Sequence, residues 1–526
     1  MKFQQLDSRK VFWLLFAICI GVRVYMYFST YVIARDSVLY MGMADLFLEG
    51  RFLEAFKYIT PPFYPLLLGG MKLVISDPEV AGKLVSLLAG TCAFFPLYYL
   101  GKKIFEQRVV FIGLFLFAIH PYFVRYSAEV LSESTFIFLS VTGLWLLWKG
   151  LDERSYIYSF LSGVILGLSC LTRAQGLIWI GVILAVPIVF SFLRQGKEVD
   201  KRNLWISFLI AAFAFFLVIF PYSYFLKQLT GEWTVRQSGA SSILDGTGYA
   251  HQQGLWGALL VLLSHPLLLV KKLGWNMGSL VLLLPETIHY PFFFLLVIGL
   301  AAWRHTKRYL KGELYLAIIC LVYILGHCLL YLKVRYLLPI VPFALFWAGQ
   351  GFWVTVSWAQ RFCARYIPKV MVQHRALVVT VLLICFTAAG ALPKTLLPQR
   401  LEKLDRKEIG KRIAALFQRR PVILASDGRI GFYARGEVVD LREVRTFTEF
   451  LEYAHNNKVD IIVMNKKRVN DEGRIGVLSS DFFAHPNHPD LQLLFVYPSE
   501  NQQQNQRKSS VFYVYRLVGE KNQPER

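Results

Sequence analysis

Long apolar blocks separated by short basic connections dominate the chain as far as residue 392. Leu204 to Tyr224 carries no charged residue, and neither does Ala376 to Leu392. The hydrocarbon core of a bilayer needs about 20 apolar residues per crossing helix. Inside lipid the backbone must satisfy its own hydrogen bonds, so such blocks become helices. The pattern predicts eleven spans: 11–31, 80–100, 109–121, 131–148, 157–172, 177–193, 204–224, 288–303, 314–332, 336–356 and 376–392. A further stretch, 255–272, is interrupted by Ser264, His265 and Pro266 and closed by two lysines. It reads as an amphipathic helix lying on the outer face, with a twelfth span as the alternative.

From residue 393 the texture changes. Arg400 to Gln418 is charged and amphipathic. Val422 to Ala425, Val459 to Met464, Leu491 to Tyr497 and Val511 to Leu517 read as short strands, with a helix over Thr446 to Ala454. Short apolar runs bounded by turn residues suggest a small α/β domain. The expected organisation is an all-α polytopic membrane domain over 1–392 and a soluble α/β domain over 393–526. No internal repeat at a fixed period is visible.

Composition agrees with a membrane protein. Of 526 residues 55% are hydrophobic and 17% charged, against about 25% charged in soluble domains. The net charge of +22 does not point to nucleic acid, because the basic residues fall between the apolar blocks. Lys2, Arg9 and Lys10 form the first cluster, and Lys102, Lys103 and Arg108 the second. Lys149 with Arg154, Arg194 to Arg202, Arg304 to Lys311 and Arg361 to Arg375 supply the rest. Placing all six on the cytoplasmic side gives a consistent alternation. The N-terminus is then cytoplasmic, while segments 32–79, 225–287 and the C-terminal domain lie outside. In a bacterial cell this is a multi-pass inner membrane protein. The first block resembles a signal peptide, but no small-residue cleavage site follows it, so it reads as a retained span. The seven cysteines show neither zinc-ligand spacing nor a disulfide framework.

Candidate chemistry gathers on the outer side. Asp36 follows the first span with Tyr40 one helical turn on. It is either the N-cap of a helix over Ser37 to Leu48 that Gly50 ends, or a base for catalysis. Thr60-Pro61-Pro62-Phe63-Tyr64-Pro65 holds three prolines in five residues, which argues against a helix starting before Pro65 and for a turn or an aromatic-lined groove. Arg125, Glu129 and Glu133 recur at intervals of four, as one stripe on one helix. Arg125 can pair with Glu129, whereas Glu133 lies deeper. An ionisable residue there is a functional candidate, with a salt bridge to another span as the alternative. Arg23, Arg173 and Arg335 fall at outer membrane ends, where a planar guanidinium suits phosphate.

In this order the pieces resemble the GT-C glycosyltransferases, in the branch of the protein O-mannosyltransferases and the lipid A aminoarabinose transferase. Asp36 with Tyr40 is similar to the family's first-loop acid. Pro61-Pro62-Phe63-Tyr64-Pro65 resembles its Pro-Pro-Leu-Tyr signature. His120-Pro121, Ser127 and Leu131-Ser132-Glu133 resemble its second acidic site, and Leu171-Thr172-Arg173 and Arg335-Tyr336-Leu337-Leu338-Pro339 resemble two later signatures. Ser37, Thr60 and Gln175 depart from the pattern; Thr60 stands where aminoarabinose transferases carry lysine.

The resemblance implies a GT-C fold and transfer, with inversion, of a sugar from a polyprenyl-phosphate donor to a hydroxyl of an extracytoplasmic acceptor: lipid A, another glycan or a protein. Asp36 and Glu133 are then the catalytic acids. Arg173, Arg335 and Arg23 bind the donor phosphate, and Tyr40, Pro61, Pro62, Tyr64, Arg125, Glu129 and Tyr336 line the substrate groove. No cofactor is required, and a divalent cation near the two acids is compatible. No phosphate-binding glycine motif for a nucleotide is present. The rival readings are a lipid or sugar transporter and a non-enzymatic envelope assembly protein. A transporter would place its charges near the midplane, often within two repeats.

Overall fold

The computed structural model describes residues 7–192, 201–236, 255–302, 310–330, 332–366, 375–439, 446–465, 488–498 and 511–518. The chain divides into two compact units, Met1–Ser29 with Tyr40–Leu397, and Thr30–Leu39 with Pro398–Arg526.

The larger unit is helical. Among the described residues nine helices are long and apolar enough to cross a membrane, or ten if one bent pair counts as a span. Each of the eleven predicted segments contains a helix, two of them the shorter apolar helices Tyr156–Thr172 and Tyr290–Ala301. The segment expected as one interfacial helix over 255–272 is different. The helix Leu255–Ser264 stops before His265, and Pro266 opens a second helix that continues through both lysines to Ile288. Proline at the first helical position has no hydrogen bond to lose and starts a helix instead of interrupting it. Pro266–Ile288 is itself long and apolar enough to cross a membrane. Elsewhere the helices approach through glycine. A Cβ on Gly299 would stand 2.0 Å from the Trp347 carbonyl, and one on Gly351 would stand 1.8 Å from that of Leu295. Tyr290–Ala301 and Val341–Tyr366 therefore meet backbone to backbone, as small residues allow in membrane helices.

The bent pair is Gln107–Ile119 and Pro121–Ala128, which meet at 51°. Pro121 has no N–H for the Phe117 carbonyl, which takes a 3.5 Å bond from His120 N instead, and the carbonyls of Ala118 and Ile119 fall in the last turn of the first helix. Side chains from two distant helices take them up. Arg23 in Ser8–Phe28 donates from Nη1 to Ala118 O at 3.2 Å and to Cys19 O at 3.1 Å, and from Nη2 to Phe117 O at 3.5 Å. Thr395 Oγ1 donates to Ile119 O at 2.7 Å. Arg23 is wholly buried, with its guanidinium 5.0 Å from the Phe117 ring centre. Sequence position alone put Arg23 at an outer membrane end beside phosphate. Its fork is instead spent on carbonyls that a proline set free. Arg23→Leu is expected to destabilise the protein by roughly 1–3 kcal/mol for each carbonyl left without a donor, read as a lower thermal midpoint. An unchanged midpoint would restore Arg23 to the phosphate candidates.

The smaller unit is built on strands β1 (Val422–Ala425), β2 (Glu437–Val439), β3 (Ile461–Asn465), β4 (Leu491–Tyr497) and β5 (Phe512–Leu517), in the order β2-β1-β3-β5-β4. β1 runs parallel to β2 and β3, and β5 antiparallel to β3 and β4. The parallel steps need crossovers, which the helices Gly428–Tyr433 and Phe447–Asn456 supply. Alternate strand residues face opposite sides. Leu424, Ile462 and Tyr515 pack with Phe450 and Ala454 on one face, and Ile423, Ile461 and Val514 pack with Ile409, Ile413 and Ile430 on the other. The four predicted strands are present. The fifth, β2, is three residues long and only partly buried, too short to show as a period. The helix predicted over Thr446 to Ala454 runs Phe447–Asn456, fixed by a capping box between Thr446 and Glu449.

Ser426-Asp427-Gly428 leads from β1 into the helix Gly428–Tyr433. Asp427 caps Gly428–Tyr433 by accepting from the Arg429 amide, and its carboxylate also takes Arg429 Nε at 2.8 Å, Arg429 Nη2 at 2.6 Å and Arg406 Nε at 3.3 Å. Burial pushes its pKa up, but the Arg429 bonds and the Arg406 charge outweigh burial and hold it at about 2. A carboxyl depressed on folding stabilises the fold above its unfolded pKa, near 4, and that stability disappears as pH falls towards 2. The shift is worth roughly 2 kcal/mol. Hydrogen exchange in β1 and Gly428–Tyr433 is expected to accelerate between about pH 4 and pH 2 beyond the intrinsic chemistry, and Asp427→Asn to remove that dependence.

Candidate functional site

Three helix ends in the larger unit bring together one carboxylate and two guanidinium groups. Glu133 occupies the first turn of Glu133–Asp152, where the helix dipole favours a carboxylate. Arg173 follows the last residue of Tyr156–Thr172 in extended conformation (φ −148°, ψ 127°). Arg335 lies in the one-turn helix Val334–Leu337. Arg173 Nη1 stands 2.7 Å from Glu133 Oε1, and Arg335 Nη1 is 3.9 Å from the same oxygen. The Glu133 side chain is 3% exposed, that of Arg173 11% and that of Arg335 36%. The carboxylate is therefore the buried floor and Arg335 the accessible member.

The cluster has a second layer. Arg173 Nη1 also donates to Ser132 Oγ at 3.1 Å, and Ser132 Oγ is 3.1 Å from Tyr40 Oη. Tyr336 lies against both guanidinium groups, its ring centre 5.8 Å from Arg173 Cζ and 5.3 Å from Arg335 Cζ. That spacing permits cation–π attraction. Tyr40 and Tyr64 meet edge to face at 5.1 Å.

The other expected site residues fall as follows. Asp36 is inside the first turn of Arg35–Leu48, not at its N-cap, because the helix begins two residues before the expected Ser37. Tyr40 lies a turn further along the same helix. Pro61 and Pro62 are buried, and the helix Phe63–Lys72 starts directly after them, two residues before Pro65. Proline is tolerated in a first turn, where its missing N–H costs nothing. Tyr64 is completely buried, with its hydroxyl 3.1 Å from Ser86 Oγ, so it supports Tyr40 and does not face a groove. Arg125, Glu129 and Glu133 do not share one helical stripe. Pro121–Ala128 ends before Glu129, whose backbone is extended, and Glu133 opens the next helix. The expected pairing of Arg125 with Glu129 is present at 3.0 Å. Glu133 has its ion pairs with other helices. Two interactions had no separate sequence signal. Ser132 was visible only as a neighbour of Glu133, and the chain from Lys394 Nζ to Tyr122 Oη (3.2 Å) to Glu286 Oε1 (2.8 Å) joins residues far apart in sequence.

Among the described residues no three His, Cys, Asp or Glu side chains converge on a point that could hold a metal ion.

Nine of the described helices are long and apolar enough to cross a membrane, or ten with the bent pair, and the chain shares the GT-C fold of solved relatives. The family model for dolichyl-phosphate-mannose-protein mannosyltransferase matches residues 60–224, which bears out the resemblance read from the motifs. ArnT of Cupriavidus metallidurans, solved with undecaprenyl phosphate, is similar with a TM-score of 0.61 and 13% identity over 97% of this chain and 99% of that one. The oligosaccharyltransferase AglB of Archaeoglobus fulgidus, solved with an inhibitory peptide and dolichol phosphate, gives 0.60 and 12% over 99% of this chain and 75% of that one. Both are likenesses of fold. Dolichyl-phosphooligosaccharide-protein glycotransferase 3 of A. fulgidus is 28% identical over 156 residues, 27% of this chain. The chain spans 18% of the length of that curated relative.

Proposed function

We propose that this protein is a membrane glycosyltransferase that moves a sugar from a polyprenyl-phosphate donor to the hydroxyl of an extracytoplasmic acceptor (lipid A, another glycan or a protein), with inversion. The observation that carries the reading is the Arg173–Glu133–Arg335 cluster. Its two cations and one anion leave a net charge of +1. A donor phosphodiester carries one negative charge, and the leaving polyprenyl phosphate approaches two. An arginine pair attracts the phosphate more strongly as negative charge grows on it, and so stabilises the transition state more than the ground state. Glu133 holds the pair in place and keeps its charge low enough for product to leave.

In the reaction, Asp36 accepts the proton of the acceptor hydroxyl. The freed oxygen attacks the anomeric carbon. The bond from that carbon to the phosphate oxygen breaks, and its electrons stay on the phosphate, where Arg173 and Arg335 take up the charge. Tyr336 backs both guanidinium groups. Arg125 and Glu129 remain candidates for the substrate groove, while Tyr40 bonds Ser132, the hydroxyl partner of Arg173. Asp36 takes the role that the resemblance gives it, and Glu133 serves the reaction through the arginine pair.

The orientation belongs to the same proposal. The basic clusters put the N-terminus in the cytoplasm and residues 393–526 outside. A compartment-specific reporter fused after residue 395 checks this. Purified protein in bilayer nanodiscs, given radiolabelled polyprenyl-phosphate sugars and envelope extracts, is expected to release polyprenyl phosphate and label an acceptor. Absence of release from every hexose and pentose donor tried would reject the assignment.

A further inference from the structure

The hydroxyl of Ser132 is spent in an unusual way. A serine just before a helix ordinarily accepts from a backbone N–H of the first turn. Ser132 precedes Glu133–Asp152 and makes no such bond. Its Oγ, completely buried, is instead 3.1 Å from Arg173 Nη1 and 3.1 Å from Tyr40 Oη. Arg173 is thus gripped at one nitrogen by two neighbours in sequence, the Glu133 carboxylate at 2.7 Å and the Ser132 hydroxyl. An ion pair alone fixes distance but leaves the guanidinium free to turn. A hydrogen bond from the same nitrogen to Ser132 Oγ fixes the plane of the fork. Tyr40, wedged edge-on against Tyr64, orients the serine in turn.

We propose that Ser132 is a positioning residue for phosphate binding, setting the plane of the Arg173 guanidinium, with Tyr40 orienting the serine. This rests on the reading of Arg173 as a phosphate ligand. The remaining donors of a fixed fork meet the phosphate oxygens in parallel, whereas a rotating fork offers them one at a time. Ordering before binding lowers the entropy lost on binding. The prediction is a loss of phosphate affinity without a loss of fold, and restoration by any residue that returns a hydroxyl.

Undecaprenyl phosphate binding by full-length protein in nanodiscs tests this, with thermal midpoints measured alongside. Ser132→Ala is expected to weaken binding about tenfold, as for a lost hydrogen bond to a charged group. Ser132→Thr, which keeps the hydroxyl, is expected to bind within about twofold of wild type. Tyr40→Phe is expected to cost less than Ser132→Ala, and the double variant to match Ser132→Ala alone, because residues acting through one contact are not additive. If Ser132→Ala binds as wild type while Arg173→Lys is weakened, the positioning role is overturned and the phosphate reading stands. If neither is weakened, both fall. Additive losses in the double variant would overturn the linkage from Tyr40.

Discussion

Asp36→Asn is expected to lower sugar transfer by roughly 10²- to 10⁴-fold, the usual loss when a general base is removed, with donor binding intact. The size of the effect separates two roles for one side chain. Asp36 is in the first turn of Arg35–Leu48. If it only complemented the helix N-terminus, a neutral replacement would cost at most about 1 kcal/mol of helix stability and leave turnover near wild type. Asparagine keeps the size and the acceptor oxygen but cannot take a proton at neutral pH. Turnover measured at saturating donor, with the thermal midpoint as control, distinguishes the two. Full activity in Asp36→Asn would leave Glu133 as the remaining acid from the candidate pair.

The second large effect belongs to Arg173, and two substitutions divide it. Arg173→Met removes the close partner of a carboxylate that is 3% exposed, leaving Arg335 at 3.9 Å. Breaking one side of a buried ion pair typically costs about 3–5 kcal/mol, so this variant is expected to fold poorly. Arg173→Lys keeps the charge and, with it, most of the stability. An ammonium group cannot serve Glu133, Ser132 and a phosphate together in the geometry of a planar fork. Donor affinity is therefore expected to fall roughly 10- to 100-fold, the range of one or two lost charge-assisted bonds. Arg335 is more exposed and less constrained, so Arg335→Lys should cost less. Wild-type donor affinity in both lysine variants would move the phosphate elsewhere.

The parts legible in the sequence were those set by local pattern. Apolar runs gave the membrane helices, and Pro121 marked a place where a helix must stop. The strands of the smaller unit showed where four or more apolar residues ran together, and β2 did not because it has three. The misreadings share a cause, which is periodicity carried across a break. Arg125, Glu129 and Glu133 have helical spacing, yet the helix ends at Ala128 and a new one starts at Glu133. Arg23 shows the other limit. Apart from Cys19 in its own helix, its partners lie 94 and 95 residues away, so the chain near it does not distinguish a carbonyl cap from a phosphate ligand. The same holds for the pairing of Glu133 with Arg335. Charge and depth marked Glu133 as a candidate, but only the fold could say which cations answer it.

Pro266–Ile288 carries a consequence for how any of this is measured. Only 11% of its apolar window is covered by protein, and Asn276 holds it through bonds to the carbonyls of Cys328 (2.7 Å) and Leu330 (3.2 Å). Its 23 residues extend about 34 Å at 1.5 Å per residue. A rod held at Asn276 and, through Glu286, at Tyr122, with most of its surface towards acyl chains, adjusts its remaining tilt to the thickness of the surrounding bilayer. A micelle has no fixed thickness and leaves that tilt unset. Lipid length is therefore a variable of the enzyme itself, to be held constant whenever two variants are compared.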